Sequence, residues 1–154
     1  MEAFLLGYRQ TALAPDEVIE SVWLPRPPPE GTVFACEKLS KRHDQDIATV
    51  GAAFLLRLAD DGHVAEARLA FGGMGPVAAR APQAEAALAG APWSEATVER
   101  AAAALAEDFA PLSDWRGGAE YRRLAAANLL RRLWWRTARP DLPLEVTVLE
   151  ALGA

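Results

Sequence analysis

The chain has 154 residues and a mass of 16.6 kDa, enough for one domain with one sizeable hydrophobic core. Hydrophobic residues make up 51% of it and charged residues 24%, a balance close to the globular average that excludes a wholly disordered chain. The net charge of −5 argues against a nucleic-acid-binding protein, and a single cysteine excludes an internal disulfide framework and a cysteine-based zinc or iron–sulfur site.

The amino-terminal part is predicted to be a segment distinct from the rest. Val18 to Leu24 is β-prone, and Pro25 ends the stretch. The proline-rich run 26–31 cannot form a helix or a central strand, because proline fixes φ and lacks an amide donor. Residues 1–25 are therefore read as a terminal strand segment, and a new unit begins at Thr32.

The first half of the second unit has the pattern of strands. A short strand is predicted over Val33–Lys38. Ile47–Leu58 and Val64–Phe71 read as a hairpin, because Asp60-Asp61-Gly62 between them is a turn signal. The run Gly72 to Pro76 lacks the glycine spacing and lysine of a phosphate-binding loop, so it predicts a tight exit from the last strand.

The second half is predicted to be helical. Pro82 opens a short helix through Leu88, and Ser94 is placed to cap a helix over Glu95–Phe109. A long helix is predicted over Ala119–Ala138 and ends before Pro140. Its apolar face is expected to carry Tyr121, Leu124, Asn128, Leu130 and Leu133.

A sheet followed by helices predicts an α+β fold with two layers. We expect an antiparallel sheet of three to four strands packed against about three helices, formed by residues 32–139. Residues 140–154 are read as a tail, whose β-prone part, Leu142 to Leu152, is either an added edge strand or loose.

Few side chains suggest catalysis on their own. His43 and His63 lack the spacing of metal ligands, so both are expected at the surface, and neither a metal site nor a catalytic residue is predicted. Cys36 is read as a small buried hydrophobe. Asp108 and Asp114 could act as a carboxylate pair, but helix capping and loop hydrogen bonds explain them more simply.

The segment from Glu37 to Ala48 concentrates charged side chains between two predicted strands. Lys38, Lys41 and Arg42 are its cations, and the acids Asp44 and Asp46 follow them. A loop at this position can present such groups to a ligand. A mutually neutralising surface loop is the alternative that charge alone leaves open.

Several short segments, in this order, resemble the flavin-binding part of xanthine dehydrogenases. They are Gly7 to Glu17, Lys38 to Ala48, Leu69 to Met74, Asp108 to Arg116, Tyr121-Arg122 and Asn128 to Leu130. The resemblance extends from about Phe4 to Arg136. The chain is thereby identified as similar to the carboxy-terminal, CO-dehydrogenase-flavoprotein-like domain of the small, FAD-binding subunit of a molybdenum hydroxylase.

The resemblance implies a flavin site that this chain shares with an upstream segment. Val18 and Ile19 would line the FAD pocket, and Lys38 would reach the flavin. A fixed cation at this place stabilises the negative charge that develops on reduction of a flavin. Arg42 to Asp44 would border the face where nicotinamide approaches, with no catalytic role assigned to His43.

The resemblance also implies the role and the partners of the chain. It would support electron transfer from iron–sulfur clusters through FAD to NAD during oxidation of hypoxanthine and xanthine. Two 2Fe-2S clusters and molybdopterin would lie on other segments, so the implied partners are an upstream FAD/iron–sulfur segment and a molybdopterin subunit in a hetero-oligomer. The chain would begin at the last strand of the flavin domain, as a fragment or split-gene product that is inactive alone.

Sequence features also bear on the compartment. The longest apolar runs, such as Gly51 to Leu56, are far shorter than the roughly 20 residues of a membrane-spanning helix. No secretory-signal pattern is recognisable, and the single cysteine fits a reducing compartment. We therefore expect a cytoplasmic protein without membrane contact.

Two other functional hypotheses stay open. One is a non-enzymatic subunit-interaction module without its own cofactor, which docks through the helix that carries Trp134 and Trp135. The other is a related oxidase or carbon monoxide dehydrogenase flavoprotein, although the loop from Lys38 to Ile47 resembles the xanthine enzymes more closely.

Overall fold

The computed structural model describes residues 3–24, 26, 30–42 and 46–141. Two short strands, β1 (Leu5–Gly7) and β2 (Gln10–Thr11), form a separate hairpin. The main antiparallel sheet has the strand order β3 (Thr32–Leu39), β4 (Val50–Leu58), β5 (Val64–Gly72) and β6 (Ala79–Arg80). Three helices follow: α1 (Pro82–Leu88), α2 (Glu95–Asp108) and α3 (Ala119–Ala138). The predicted α+β fold, with a small antiparallel sheet and three helices, is confirmed.

The core lies between one face of the sheet and the helices. Alternate residues of β4 are buried, Phe54 and Leu56 among them, because successive side chains of a strand point to opposite faces. Phe71 of β5 lies edge-on between two rings, with centroids 5.6 Å from Phe54 and 5.5 Å from Phe109 at the end of α2. The opposite face of the sheet carries no helix in the described ranges.

Side chains cap the first turns of α1 and α2. Ser94 accepts a hydrogen bond from the Thr97 amide at the start of α2. The Asp108 carboxylate accepts from the amides of Gln83 (2.9 Å) and Ala84 (3.0 Å) and so caps α1 from a distance in sequence. The capping role predicted for Asp108 is therefore confirmed. None of the helices in the described ranges is long and apolar enough to cross a membrane.

The observed strands differ from the predicted ones at two places. Residues 18–24 form no strand, and Val18 (86%), Ile19 (57%) and Trp23 (92%) are exposed. An apolar extended segment becomes a strand only where a neighbouring strand offers backbone partners, and the main sheet does not offer them to this segment. The strand predicted from Ile47 begins at Val50, because the residues before it belong to a loop.

Cys36 is exposed, which contradicts the buried position predicted for it. Its neighbour Ala35 faces the core, so the alternation of β3 turns Cys36 to the uncovered face of the sheet. His63 is half-exposed beside Asp61 at the tip of the β4–β5 hairpin, as expected. The predictions for His43 and for Leu142 to Leu152 lie outside the described residues.

Candidate functional site

Lys38 stands beside a strip of bare backbone on the uncovered face of the sheet. It is exposed and pairs in register with Gly51 of β4, which in turn pairs with Gly72 of β5. Residues that pair directly across strands share a face, so Gly51 and Gly72 place no side chain of their own on the sheet next to Lys38. A β-carbon built on Gly72 would meet none of the described atoms within 4 Å, and one on Gly51 only Ala48 at 3.9 Å. We call Lys38, Gly51 and Gly72 the glycine shelf.

The connection between β3 and β4 starts at the end of this shelf. Asp46 ties its described parts together, since its carboxylate accepts from the amides of Lys41 (3.0 Å) and Arg42 (3.1 Å). Desolvation raises the pKa of Asp46, but the two amides and the charge of Arg42 outweigh it and hold the pKa below its ordinary value. The Thr49 amide donates to the Leu39 carbonyl (2.7 Å) and closes the connection at its base.

A second loop, between α2 and α3, lies against this connection. The Lys41 Nζ donates to the Trp115 carbonyl (2.7 Å), and the Thr49 hydroxyl donates to the Arg116 carbonyl (3.2 Å). The Arg116 guanidinium stacks on the exposed Trp115 ring, 4.3 Å from its centroid. The two loops therefore present their cations and an aromatic ring as one surface.

Arg122 of α3 forms hydrogen bonds with both of these loops. Its side chain is 4% exposed by residue, and its Nη1 donates to the carbonyls of Thr49 and Gly73 (2.8 Å to the latter). Its Nη2 donates to Asp114 (2.7 Å), and its Nε lies 3.4 Å from the Gly117 carbonyl. A buried guanidinium is tolerated only when its donors are paired, and here they are paired with three separate connections. We call these five residues the Arg122 junction.

The two glycines of the Arg122 junction are required by space. Gly73 has a φ of +78°, and a β-carbon there would collide with the Thr49 carbonyl. A β-carbon on Gly117 would lie 2.7 Å from the Thr49 methyl group. The tight exit predicted after β5 is therefore confirmed, and it serves a close approach of backbone to backbone.

The loop role predicted for Asp114 is confirmed, with an addition. Its carboxylate accepts from the amides of Arg116 (2.9 Å) and Gly117 (3.1 Å). The hydrogen bond from Arg122 is the largest cause that lowers the pKa of Asp114; desolvation opposes it, and the two loop amides lower the pKa further. Asp108 and Asp114 thus each have a separate structural role, the first at the start of α1 and the second in the loop before α3.

The buried face of α3 differs from the one that the sequence predicts, and it includes Arg122. Tyr121 (51%) and Leu124 (57%) are exposed. The buried residues of this helix are Arg122, Ala125, Ala126, Leu129, Leu130 and Leu133. They lie at the spacing of one helical face, but alanine and arginine weaken the hydrophobic signal of that face. The spacing to Leu129 and Leu133 is the signal that could have identified Arg122 as buried.

Glu37 fastens α3 to the strand that carries Lys38. Its carboxylate pairs with Arg136 (2.6 Å) and with Arg132 (3.6 Å). A groove of about 520 Å³ lies between β3 and α3, with Lys38 and Tyr121 among the residues that line it. Lys38 thus lies between two anchors of the same helix, Glu37 and the Arg122 junction.

The structure does not gather the three predicted flavin-contacting residues into one pocket. Val18 and Ile19 are exposed on the segment before Thr32, whereas Lys38 is exposed on the glycine shelf. In the described ranges no group of three or more His, Cys, Asp or Glu side chains could hold a metal ion. Of these three residues, only Lys38 lies at a surface feature described above, the glycine shelf.

Comparison with known proteins gives a consistent set of similarities. Residues 35–137 match the family model described as CO dehydrogenase flavoprotein C-terminal domain. The chain is 39% identical over 136 residues to a xanthine dehydrogenase from Emericella nidulans, covering 87% of this chain and 10% of that protein. It is 34% identical over 122 residues to a xanthine dehydrogenase FAD-binding subunit from Escherichia coli, covering 79% of this chain and 41% of the subunit.

Solved structures agree with these sequence similarities. Reconstituted CO dehydrogenase from Oligotropha carboxidovorans matches with a TM-score of 0.76 and 32% identity, over 84% of this chain and 44% of that chain. Quinoline 2-oxidoreductase from Pseudomonas putida matches with a TM-score of 0.76 and 28% identity, over 90% and 47% of the two chains. The chain thus spans less than half the length of these relatives.

Proposed function

The chain belongs to the family of CO dehydrogenase flavoprotein C-terminal domains, and we propose that it completes the FAD-binding unit of a molybdenum-dependent xanthine dehydrogenase. When bound in the complete enzyme, FAD would take electrons from two 2Fe-2S clusters during hypoxanthine and xanthine oxidation at molybdopterin, and pass them to NAD as hydride. The purine substrate and the NAD acceptor rest on the xanthine dehydrogenases among the relatives and on the resemblance of the Lys38 loop.

The glycine shelf is the observation that carries the proposal. A planar ring system can approach a sheet closely only where no side chain stands in between, and Gly51 and Gly72 provide that space beside Lys38. Lys38 is an exposed residue in register with the two glycines, so its ammonium can form a charge-assisted hydrogen bond with a ligand at the shelf. Such a cation stabilises negative charge that develops on a flavin during reduction.

The amino-terminal segment fits an incomplete site. Residues 18–24 expose Val18, Trp23 and Leu24 (86%, 92% and 83%), an apolar surface that a folded protein rarely leaves uncovered. In this proposal residues 1–25 pair as a strand with an upstream FAD-binding segment, and Val18 and Ile19 then line the flavin pocket. Residues 32–139 form the carboxy-terminal domain, and residues 140–154 a tail.

The proposal includes the partners that an incomplete site requires. The upstream segment with the iron–sulfur clusters and a molybdopterin subunit would complete a hetero-oligomeric enzyme in the cytoplasm. The support is that several relatives are subunits by name, including the FAD-binding subunit from Escherichia coli and a nicotine 6-hydroxylase medium subunit from Paenarthrobacter nicotinovorans.

The test is Lys38→Ala in the assembled enzyme, purified through a tag on this chain. We expect a lower flavin content and slower NAD reduction. Arg68→Ala is the matched control, because Arg68 is an exposed cation on the same face of the sheet, at the line of Phe34 and Leu55. Unchanged flavin content and NAD turnover in Lys38→Ala would remove Lys38 from the account.

The subunit-interaction module without a cofactor is the second candidate. The exposed apolar residues of 18–24 favour it, whereas Trp134 and Trp135 favour it less. These two rings contact each other edge-on at 4.9 Å, both are half-buried, and Trp134 packs against the core. Visible spectra of the assembled enzyme distinguish the two candidates. If the chain is only an interaction module, Lys38→Ala should leave the flavin spectrum unchanged.

A further inference from the structure

We propose that Arg122 is a positioning residue for the flavin, acting through the glycine shelf and the loop after Lys38. This inference rests on the proposed function and adds a residue that touches no cofactor. It follows from where the donors of one buried guanidinium are used, since the Arg122 junction links three connections at one end of the sheet.

Arg122 binds the backbone at one end of the sheet. Thr49 immediately precedes β4 and Gly73 immediately follows β5, and Arg122 donates to both carbonyls. Gly51 and Gly72, the paired glycines of the shelf, lie two residues and one residue away along the chain. The glycines have no side chains with which to pack, so the backbone at this end of the sheet is set by the Arg122 junction.

The loop that follows Lys38 is also linked to Arg122, through the Trp115 loop. Its base is the hydrogen bond between Thr49 and Leu39, and its cation Lys41 is held by the Trp115 carbonyl. The Trp115 loop is in turn fixed by Asp114, which binds Arg122 at 2.7 Å. One side chain of α3 therefore links both loops that would surround the flavin.

The geometry of these contacts explains why this residue is an arginine. Its planar fork has five donors, which here reach three carbonyls and a carboxylate at once. A lysine carries a comparable charge on a single atom and cannot span the same acceptors. Arg122→Lys therefore keeps the charge and loses the geometry.

The test compares the bound flavin in variants of the assembled enzyme. In Arg122→Lys we expect the flavin midpoint potential to become more negative, because a displaced Lys38 stabilises reduced flavin less. The visible spectrum of the bound flavin should shift as well. Lys38→Ala should move the potential in the same direction and further. Arg131→Lys is the matched control, since Arg131 lies on the same helix but binds Glu99 of α2 (2.6 and 2.7 Å).

A purely structural role for Arg122 would lower the melting temperature and the flavin content, with the potential of the retained flavin unchanged. That result, together with a shifted potential in Lys38→Ala, would overturn the inference and leave the proposed function standing. An unshifted potential in Lys38→Ala would instead remove Lys38 from the proposed flavin site and overturn the inference with it.

Asp114→Ala decides the question if Arg122→Lys fails to assemble. The Asp114 side chain is 42% exposed, so its loss leaves no buried hole, yet it releases the loop from Arg122. We expect a shift of the flavin potential in the same direction as in Arg122→Lys. An unshifted potential in Asp114→Ala, with Lys38→Ala shifted, would also overturn the positioning role.

Discussion

Gly73 and Thr49 approach so closely that Gly73 has no room for a β-carbon beside the Thr49 carbonyl. The contact joins the exit of β5 to the entry of β4, and Arg122 binds the carbonyls of both residues. This end of the sheet is also the end that carries Lys38. We therefore expect the same contacts to contribute to the stability of the domain and to the geometry of the proposed flavin site.

Gly73→Ala should destabilise the domain by about 2–5 kcal/mol, the sum of the costs of a left-handed backbone and a steric collision. Gly90→Ala is the control, because Gly90 has a similar φ of +68° and no described atom within 4 Å of its β-carbon position. It should cost about 1–2 kcal/mol. Urea unfolding of the two variants measures the difference, and equal losses would show that the Thr49 contact carries no weight.

Gly72→Leu should leave the fold intact and reduce the flavin content of the assembled enzyme. The substitution fills the open side of the glycine shelf, where Gly72 has a free β-carbon position. Ala65→Leu is a suitable control, since Ala65 is an exposed residue elsewhere on β5. Flavin content per complex is the readout. Normal flavin content in Gly72→Leu would mean that the ligand does not lie against the shelf.

Asp108→Ala should lower the free energy of unfolding by about 1 kcal/mol, the usual cost of a lost helix cap. The carboxylate caps α1 through the amides of Gln83 and Ala84. Glu107→Ala removes the neighbouring exposed carboxylate, which accepts no hydrogen bond from a helix amide among the described residues. Equal effects of the two substitutions in urea unfolding would contradict the capping role.

The ion pair between Asp114 and Arg122 should give the domain an acid-sensitive component of stability. Because folding lowers the pKa of Asp114, its contribution is fully present above the ordinary pKa of an aspartate and is lost as the pH falls through the lower, folded value. Asp114→Asn keeps a hydrogen-bond acceptor without a charge that titrates. Its stability should therefore depend less on pH in the acid range than that of the wild type.

Urea unfolding across the acid range tests this expectation. Asp16→Asn is the control, because Asp16 is exposed and forms no ion pair among the described residues. It should reproduce the pH dependence of the wild type. If Asp114→Asn also reproduces it, the ion pair contributes nothing to acid sensitivity.

The sequence was informative where a local rule decides the structure. Turn residues at Asp61-Gly62, the cap at Ser94 and the break after Ala138 fixed the hairpin and the helices closely. Val18 to Leu24 form no strand in this chain by itself, because strand formation depends on a partner strand, which no local pattern supplies; the terminal strand segment stays a prediction. Cys36 was misplaced because its facing is set by which side of the sheet the helices cover.

The candidate site was only partly predictable. Lys38 was identified through a family resemblance, but its environment was not, because the pairing of Gly51 with Gly72 depends on strand register. The burial of Arg122 was not predicted, because a buried arginine contradicts a hydrophobic pattern. Its burial depends on carbonyls that come from distant parts of the chain.

Cys36 offers the most direct test of which face of the sheet meets the flavin. It is the chain's single cysteine, it is exposed, and it lies two residues before Lys38 on the same face of β3. The measurement is the rate at which a maleimide labels the Cys36 peptide in the assembled enzyme, with FAD bound and after its removal. We predict slow labelling with FAD and faster labelling without it. Equal rates in the two states would contradict a flavin site on this face.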